Sequence, residues 1–133
     1  MTEIAPCLMF VGEQCGRARE AMELYVSVLP DSYIDQVQWD DDGRVVHARF
    51  VLAGRELAAM DSAGPHEFGF TPAMSLFADF DDLAAYERAR DAFAEDGTFL
   101  MPDQAYPFAA RFCWLDDRYG VSWQLRLFSN ERA

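Results

Sequence analysis

Hydrophobic and polar positions repeat along this chain with two different periods, and each change of period marks an element. Residues 6–11 form a short apolar run of the kind that builds a strand. Residues 16–29 then place Ala18, Met22, Tyr25 and Leu29 at helical spacing, with Ala21 and Val28 beside them. That spacing predicts an amphipathic helix with one buried stripe, stopped by Pro30. Residues 32–39 read as a strand with mixed faces. Asp40-Asp41-Asp42-Gly43 supplies a tight hairpin turn, with Gly43 free to take positive φ. Residues 44–52 alternate strictly, with Val46, Ala48, Phe50 and Leu52 on one face and Val45, His47, Arg49 and Val51 on the other. Ala53-Gly54 turns the chain, and residues 56–61 form another strand.

Gly64, Pro65, Gly69 and Pro72 then give residues 62–72 the character of a loop, after which the pattern restarts. Residues 73–79 are an apolar strand. Asp81 or Asp82 can cap a helix running to Asp96, whose stripe is Leu83, Tyr86, Ala89 and Phe93, and Gly97 sits where a C′ glycine belongs. Residues 98–101 form a weak strand, 102–108 a proline-bounded loop and 109–115 a strand. Asp116 to Gly120 make a hairpin loop, and residues 121–128 close the chain as a final strand. The order is therefore β-α-β-β-β, twice, with modules at 5–61 and 72–128 of a single domain. The repeat lies in element order and not in residue identity. The fold class read from it is α+β: duplicated modules forming curved, partly open antiparallel sheets around a shared cleft, with one helix on the outer face of each.

Composition narrows the partners. The 133 residues are 51% hydrophobic and 14% aromatic, enough for a real core. Eleven basic residues face 23 acidic ones, for a net charge of −12, which argues against nucleic acid or an anionic membrane as the partner. All the cations are arginine, so lysine Schiff-base chemistry and a Walker-type phosphate lysine are excluded. No GxGxG run exists for a Rossmann-type methyltransferase, and the chain is about half the length such an enzyme needs. Cys7, Cys15 and Cys113 form no CxxC pair, so reduced and mostly buried thiols are expected. Residues 1–4 carry neither a basic nor an apolar leader segment, and no window is long and apolar enough for a membrane span; a cytoplasmic protein is expected.

The duplicated plan resembles the vicinal oxygen chelate superfamily, which includes glyoxalase I, bleomycin-resistance proteins and extradiol dioxygenases. Local sequence resembles its PhnB-like branch, whose members often carry the label 3-demethylubiquinone-9 3-methyltransferase. The matching residues are Pro6, Leu8 and Phe10; Glu20-Ala21-Met22 and Leu24-Tyr25; Pro30-Asp31-Ser32; Val46-His47-Ala48-Arg49-Phe50; Met60-Asp61-Ser62 with Gly64; and Thr71-Pro72 with Ser75-Leu76-Phe77. The longest block runs Cys113-Trp114-Leu115-Asp116-Asp117-Arg118-Tyr119-Gly120-Val121-Ser122-Trp123-Gln124. The resemblance covers nearly the whole chain and implies a glyoxalase/bleomycin resistance fold and a homodimer.

Metal-dependent members place His or Glu ligands on the first and last strands of each module. Here those positions hold Cys7 or Leu8, Asp61, Ser75 and Gln124, and serine and glutamine are poor ligands for zinc, iron or nickel. No cofactor is therefore expected; a divalent metal held by an atypical set drawn from Cys7, His47, His66 and Asp61 is the alternative. The candidate ligand-binding residues are His47, Arg49, Ser75, Phe77, Trp114 and Gln124. His47 and Arg49 turn toward the cleft if the apolar face of 44–52 packs on the helix. Arg49 can instead pair with Asp61 or Glu56. Ser122, Gln124 and Arg126 form the polar set of the last strand, opposite Trp123, Leu125 and Leu127, while the direction of Phe112 and Trp114 is open. Asp40-Asp41-Asp42 and Asp116-Asp117 read as solvated turns. The function expected is metal-free binding of a small organic molecule, aromatic or acidic, between the modules, with no assignable reaction. The alternatives are a metal-dependent lyase, isomerase or dioxygenase of the glyoxalase type, and a non-catalytic accessory or interaction domain.

Overall fold

The computed structural model describes residues 1–128 and divides into two compact units, Met1–Gly69 and a second from Phe70 onward. The first unit contains β1 (Cys7–Phe10), a single 3-10 turn at Gly12–Gln14, α1 (Ala18–Val28), β2 (Tyr33–Trp39), β3 (Val45–Leu52) and β4 (Arg55–Asp61). The second contains β5 (Ser75–Phe80), α2 (Leu83–Ala94), β6 (Thr98–Tyr106), β7 (Ala109–Asp116) and β8 (Ser122–Leu127). Each unit is a four-stranded open sheet, ordered β1-β4-β3-β2 in the first and β5-β8-β7-β6 in the second. The fold is α+β, as expected, but the sheets are mixed. Three strands of each run antiparallel, while β1 joins β4 and β5 joins β8 in parallel. The helix that follows β1 or β5 carries the chain across the sheet, which permits a parallel partner where a hairpin would not.

Helix α1 packs on β3, β2 and β4, and buries Ala18, Ala21, Met22 and Tyr25 completely. Beneath it lie Leu8, Phe10, Ala48, Phe50, Leu52, Leu57 and Ala59. Helix α2 packs on β7, β8 and β5, where Phe93 stacks on Trp123 with ring centroids 4.3 Å apart. Tyr86, Ala89 and Phe93 form its buried stripe; Leu83, in the first turn, does not join them and is exposed. Among the described residues no helix is long and apolar enough to cross a membrane.

The strict alternation of 44–52 breaks at one place. Gln38 pairs with His47 but Trp39 pairs with Val45, so Val46 is an extra residue in β3. This bulge leaves Val46 50% exposed and buries Val45, while Ala48, Phe50 and Leu52 keep the expected buried face. The proline-bounded loop at 102–108 is replaced for most of its length by strand. β6 runs from Thr98 through Pro102 to Tyr106 with repeated register shifts against β7, and an edge strand tolerates a proline that a central one would not. Gly97 does not take the left-handed cap; Asp96 does, at φ 57°. Glycine is needed at 97 because a Cβ there would collide with the carbonyl oxygens of Asp116 and Phe93. Gly43 does take positive φ, 81°, closing the β2–β3 turn.

Candidate functional site

A residue's face in these sheets follows from its register partner, because directly opposed residues project to the same side. In the first sheet Cys7, Ala58, Arg49 and Gln36 align across four strands, on the side away from the buried Phe50 and Ala59. His47 lies on that same open face, two positions from Arg49 and paired with Gln38. Arg49 Nε donates to His47 Nε2 at 3.3 Å, and Arg49 Nη1 sits 3.7 Å from Glu56 Oε1. Of the two carboxylates expected to compete for Arg49, Glu56 is therefore the partner.

Asp61 has another task. Its Oδ1 accepts the backbone N–H groups of Gly16 (2.7 Å) and Ala18 (3.2 Å), and its Oδ2 accepts that of Val45 (2.9 Å). The carboxylate thus caps α1, whose own N-cap residue Arg17 makes no side-chain capping bond, and pins the start of β3. His66 points elsewhere again: its Nε2 meets Ser62 Oγ at 2.6 Å and its ring tilts against Phe68. Cys7 is exposed and Cys113 fully buried, so the expectation of mostly buried thiols holds for Cys113 but not for Cys7. Burial pushes the Cys113 thiol up to about 11, the hydrogen bond with Tyr86 opposing the rise.

The second sheet gathers the other four candidate residues. Phe77, Gln124, Trp114 and Met101 stand in one row across β5, β8, β7 and β6. The adjoining row is Ser75, Ser122, Asp116 and Thr98. Both rows lie opposite Trp123, Leu125 and Cys113, which are buried against α2. The direction left open for Phe112 and Trp114 is thereby answered: both lie on the open face. Trp114 Nε1 donates to Ser122 Oγ at 2.8 Å, and Ser122 Oγ lies 2.9 Å from Ser75 Oγ. Beside them the Asp116 carboxyl is raised by burial, with Ser122 opposing the rise, and its buried Oδ1 has no hydrogen-bond partner among the described residues.

Aromatic rings extend this face. Phe112 is packed by Phe77, Tyr106 and Phe108 at centroid distances of 6.2, 5.6 and 5.1 Å. Phe77 itself is 50% exposed. Arg126 Nε donates to Asp79 Oδ1 at 2.6 Å, and its guanidinium lies 5.3 Å from the Phe77 ring centroid. The Gln124 side chain makes no hydrogen bond with another described residue, so its amide is available in the middle of the aromatic face.

Two hollows are found elsewhere. One, of about 670 Å³, lies along Asp31, Tyr33, Asp35, Val51 and Glu56; another, of about 520 Å³, lies beside Cys15, Asp42 and Arg44. None of the six candidate residues lines either. The structure brings His47 to Arg49 in one sheet and Phe77, Gln124 and Trp114 into one row in the other, with Ser75 in the next row.

The family model for 3-demethylubiquinone-9 3-methyltransferase matches residues 2–126. The chain belongs to this family. A PhnB protein from Bacillus cereus is 41% identical, with a TM-score of 0.88, covering 95% of this chain and 99% of that one. A protein from Pseudomonas aeruginosa, PA1353, is 27% identical with a TM-score of 0.80, covering 96% of this chain and 98% of the other. A glyoxylase/bleomycin resistance protein/dioxygenase domain from Frankia sp. EAN1pec shares the fold at 12% identity and a TM-score of 0.64, covering 98% and 94% of the two chains. No curated protein matches. The family model and the Bacillus cereus protein make the chain PhnB-like, and the likeness to the Frankia sp. domain shows that it has the glyoxalase/bleomycin resistance fold.

The metal positions that the resemblance to the vicinal oxygen chelate superfamily implies hold few suitable donors. Asp61 already accepts three backbone N–H groups, Ser75 and Gln124 offer only neutral oxygen or nitrogen, and the Cys7 thiol is raised by desolvation, which Arg49 opposes. Among the described residues no three His, Cys, Asp or Glu side chains converge. This donor set does not fit a resident transition metal.

Three features were not singled out from the chain. Tyr106 and Phe108 fall in the stretch read as a loop, which holds for Phe108 but not for Tyr106 at the end of β6, and their closeness to Phe112 in an aromatic-rich stretch is a usable cue. Asp117, read as part of a solvated turn, is 4% exposed and accepts Tyr119 N–H, Val121 N–H and the Trp123 indole N–H. Asp103 on β6 ties Arg90 of α2 and Arg111 of β7 together and accepts the Tyr86 hydroxyl at 2.7 Å. Burial by itself would raise the Asp103 carboxyl, but hydrogen bonds from Arg111, Arg90 and Tyr86 outweigh it and hold it down to about 2.

Proposed function

We propose that this family member binds a small aromatic molecule, without a metal, on the open face of its second sheet. The observation that carries the reading is the in-register row of Phe77, Gln124 and Trp114. It sets a half-exposed ring, an unengaged amide and an indole side by side on a rigid sheet. Sites on packed strands hold their groups in place better than sites on loops, and a few polar groups among rings are the usual make-up of a small-molecule site. His47 and Arg49 form a second, more polar face on the first sheet. In this reading the protein works in the cytoplasm as a homodimer and meets neither nucleic acid nor membrane. No covalent step is assigned to it.

The test is a titration with benzamide followed by heteronuclear NMR, with elemental analysis of the same purified protein. Benzamide at millimolar concentration is expected to shift the Trp114 indole and the Phe77 and Gln124 amide signals. Phe77→Ala should weaken it about threefold to tenfold. Shifts confined to residues 31–35, at the larger hollow of the first unit, would overturn the placement. About one transition metal per chain, with benzamide leaving the Trp114 signal unmoved, would overturn the reading in favour of metal chemistry.

A further inference from the structure

The proposed aromatic site can be given a ligand class from the arginine at its edge, an inference that rests on the reading above and deepens it. Arg126 follows Gln124 by two positions on β8, on the same face, and its side chain is 28% exposed. Among the described residues its only hydrogen bond runs from Nε to Asp79. The Nη1 and Nη2 groups, which together carry four N–H donors, therefore have no hydrogen-bond partner in the described chain. The guanidinium lies 5.3 and 5.0 Å from the ring centroids of Phe77 and Phe128, so ring contacts as well as Asp79 bear on its position. Arg49, the candidate arginine of the first sheet, differs: its Nε is on His47 and its Nη1 faces Glu56.

We propose that the open face of the second sheet selects a planar aromatic carboxylate, with the carboxylate on the Nη groups of Arg126 and the ring against Phe77 toward Gln124. A guanidinium fork matches a carboxylate with two parallel bonds, and its neighbouring ring favours a flat substituent next to that carboxylate. Asp79 and Asp116 stand on the same face, so a monoanion meets less repulsion there than a phosphate dianion. Asp79 also competes with the ligand for Arg126, which makes it a negative determinant of affinity.

Benzoate, benzamide and cyclohexanecarboxylate, titrated by the same NMR measurement, separate the parts of this proposal. Benzoate is expected to bind more tightly than either of the others. Arg126→Gln should weaken benzoate about tenfold or more and leave benzamide nearly unchanged. Asp79→Asn should tighten benzoate severalfold, which keeps the test open if the Arg126 variant folds poorly. Equal binding of benzoate and benzamide, with neither variant altering it, would overturn acid recognition while leaving the aromatic site intact. Failure of all three probes to move the signals of Phe77 and Trp114 would overturn the site itself. Binding of cyclohexanecarboxylate as tightly as benzoate would overturn the requirement for a planar ring.

Discussion

The two units share an element order and a sheet order, yet they secure the same structural points with different atoms. In the first, the carboxylate of Asp61 at the end of β4 reaches back to the N-terminus of α1 and to the start of β3. In the second, α2 is capped by its own Asp82, whose Oδ2 accepts Ala85 N–H at 3.0 Å, and the buried carboxylate belongs to the β7–β8 turn at Asp117. The open faces diverge as well. One carries Arg49, His47 and Glu56 bound to one another, whereas the other carries rings with an unengaged amide and an arginine fork. A repeated backbone plan thus fixes where a capping anion or an open face must be. It leaves to each unit which residue supplies the anion and whether the face satisfies itself or remains available.

The comparison can be broken most forcefully at Asp117. Asp117→Ala would leave two backbone N–H groups and an indole N–H without their acceptor in a buried site, and should cost about 3 kcal/mol or more in denaturant unfolding. A loss below about 1 kcal/mol would show that the turn relaxes to water instead.

The next effect belongs to the second unit's ion cluster. Asp103 lies below its ordinary carboxylate value of 3.8, at about 2. Its contribution is therefore full above the unfolded pKa and disappears as pH falls through the interval from about 4 to 2. The amount is about 2 kcal/mol, because the Arg90, Arg111 and Tyr86 bonds favour the ionised form. Acid titration of stability should show this limb in the parent protein, and Asp103→Asn should flatten it. An unchanged limb in the variant would assign the acid sensitivity to other carboxyls.

The smallest contrast is between the two helix caps. Asp82→Ala should cost about 1 kcal/mol, the usual worth of a local N-cap. Asp61→Ala should cost about 2 kcal/mol, since its carboxylate serves β3 as well as α1. Equal losses from parallel denaturant titrations would mean that the bond to Val45 adds nothing to stability.

These contrasts follow what could be read from the chain. Periodicity located both helices and most strands, and Asp82 was visible as a cap because its acceptor lies three residues from its donor. Asp61 was not visible as a cap, since its helix begins 43 residues earlier in the chain. The bulge at Val46 and the extension of β6 through Pro102 were hidden for a related reason: both depend on how a neighbouring strand is registered. In the candidate site, the alternation of β8 and of β3 assigned Gln124, His47 and Arg49 to the open faces. Only the partner strands told which way Trp114 and Phe112 point.

By itself the amino-acid sequence determined the fold class, the duplication, the family and the polar identity of the alternating faces, because these rest on local periodicity and on motifs contiguous in the chain. Tertiary structure alone decided which carboxylates are used up by backbone N–H groups, which arginine is tied to its neighbours, and that Phe77, Gln124 and Trp114 stand side by side. Those outcomes depend on register between strands far apart in sequence, where a shift of one residue would turn each side chain to the other face.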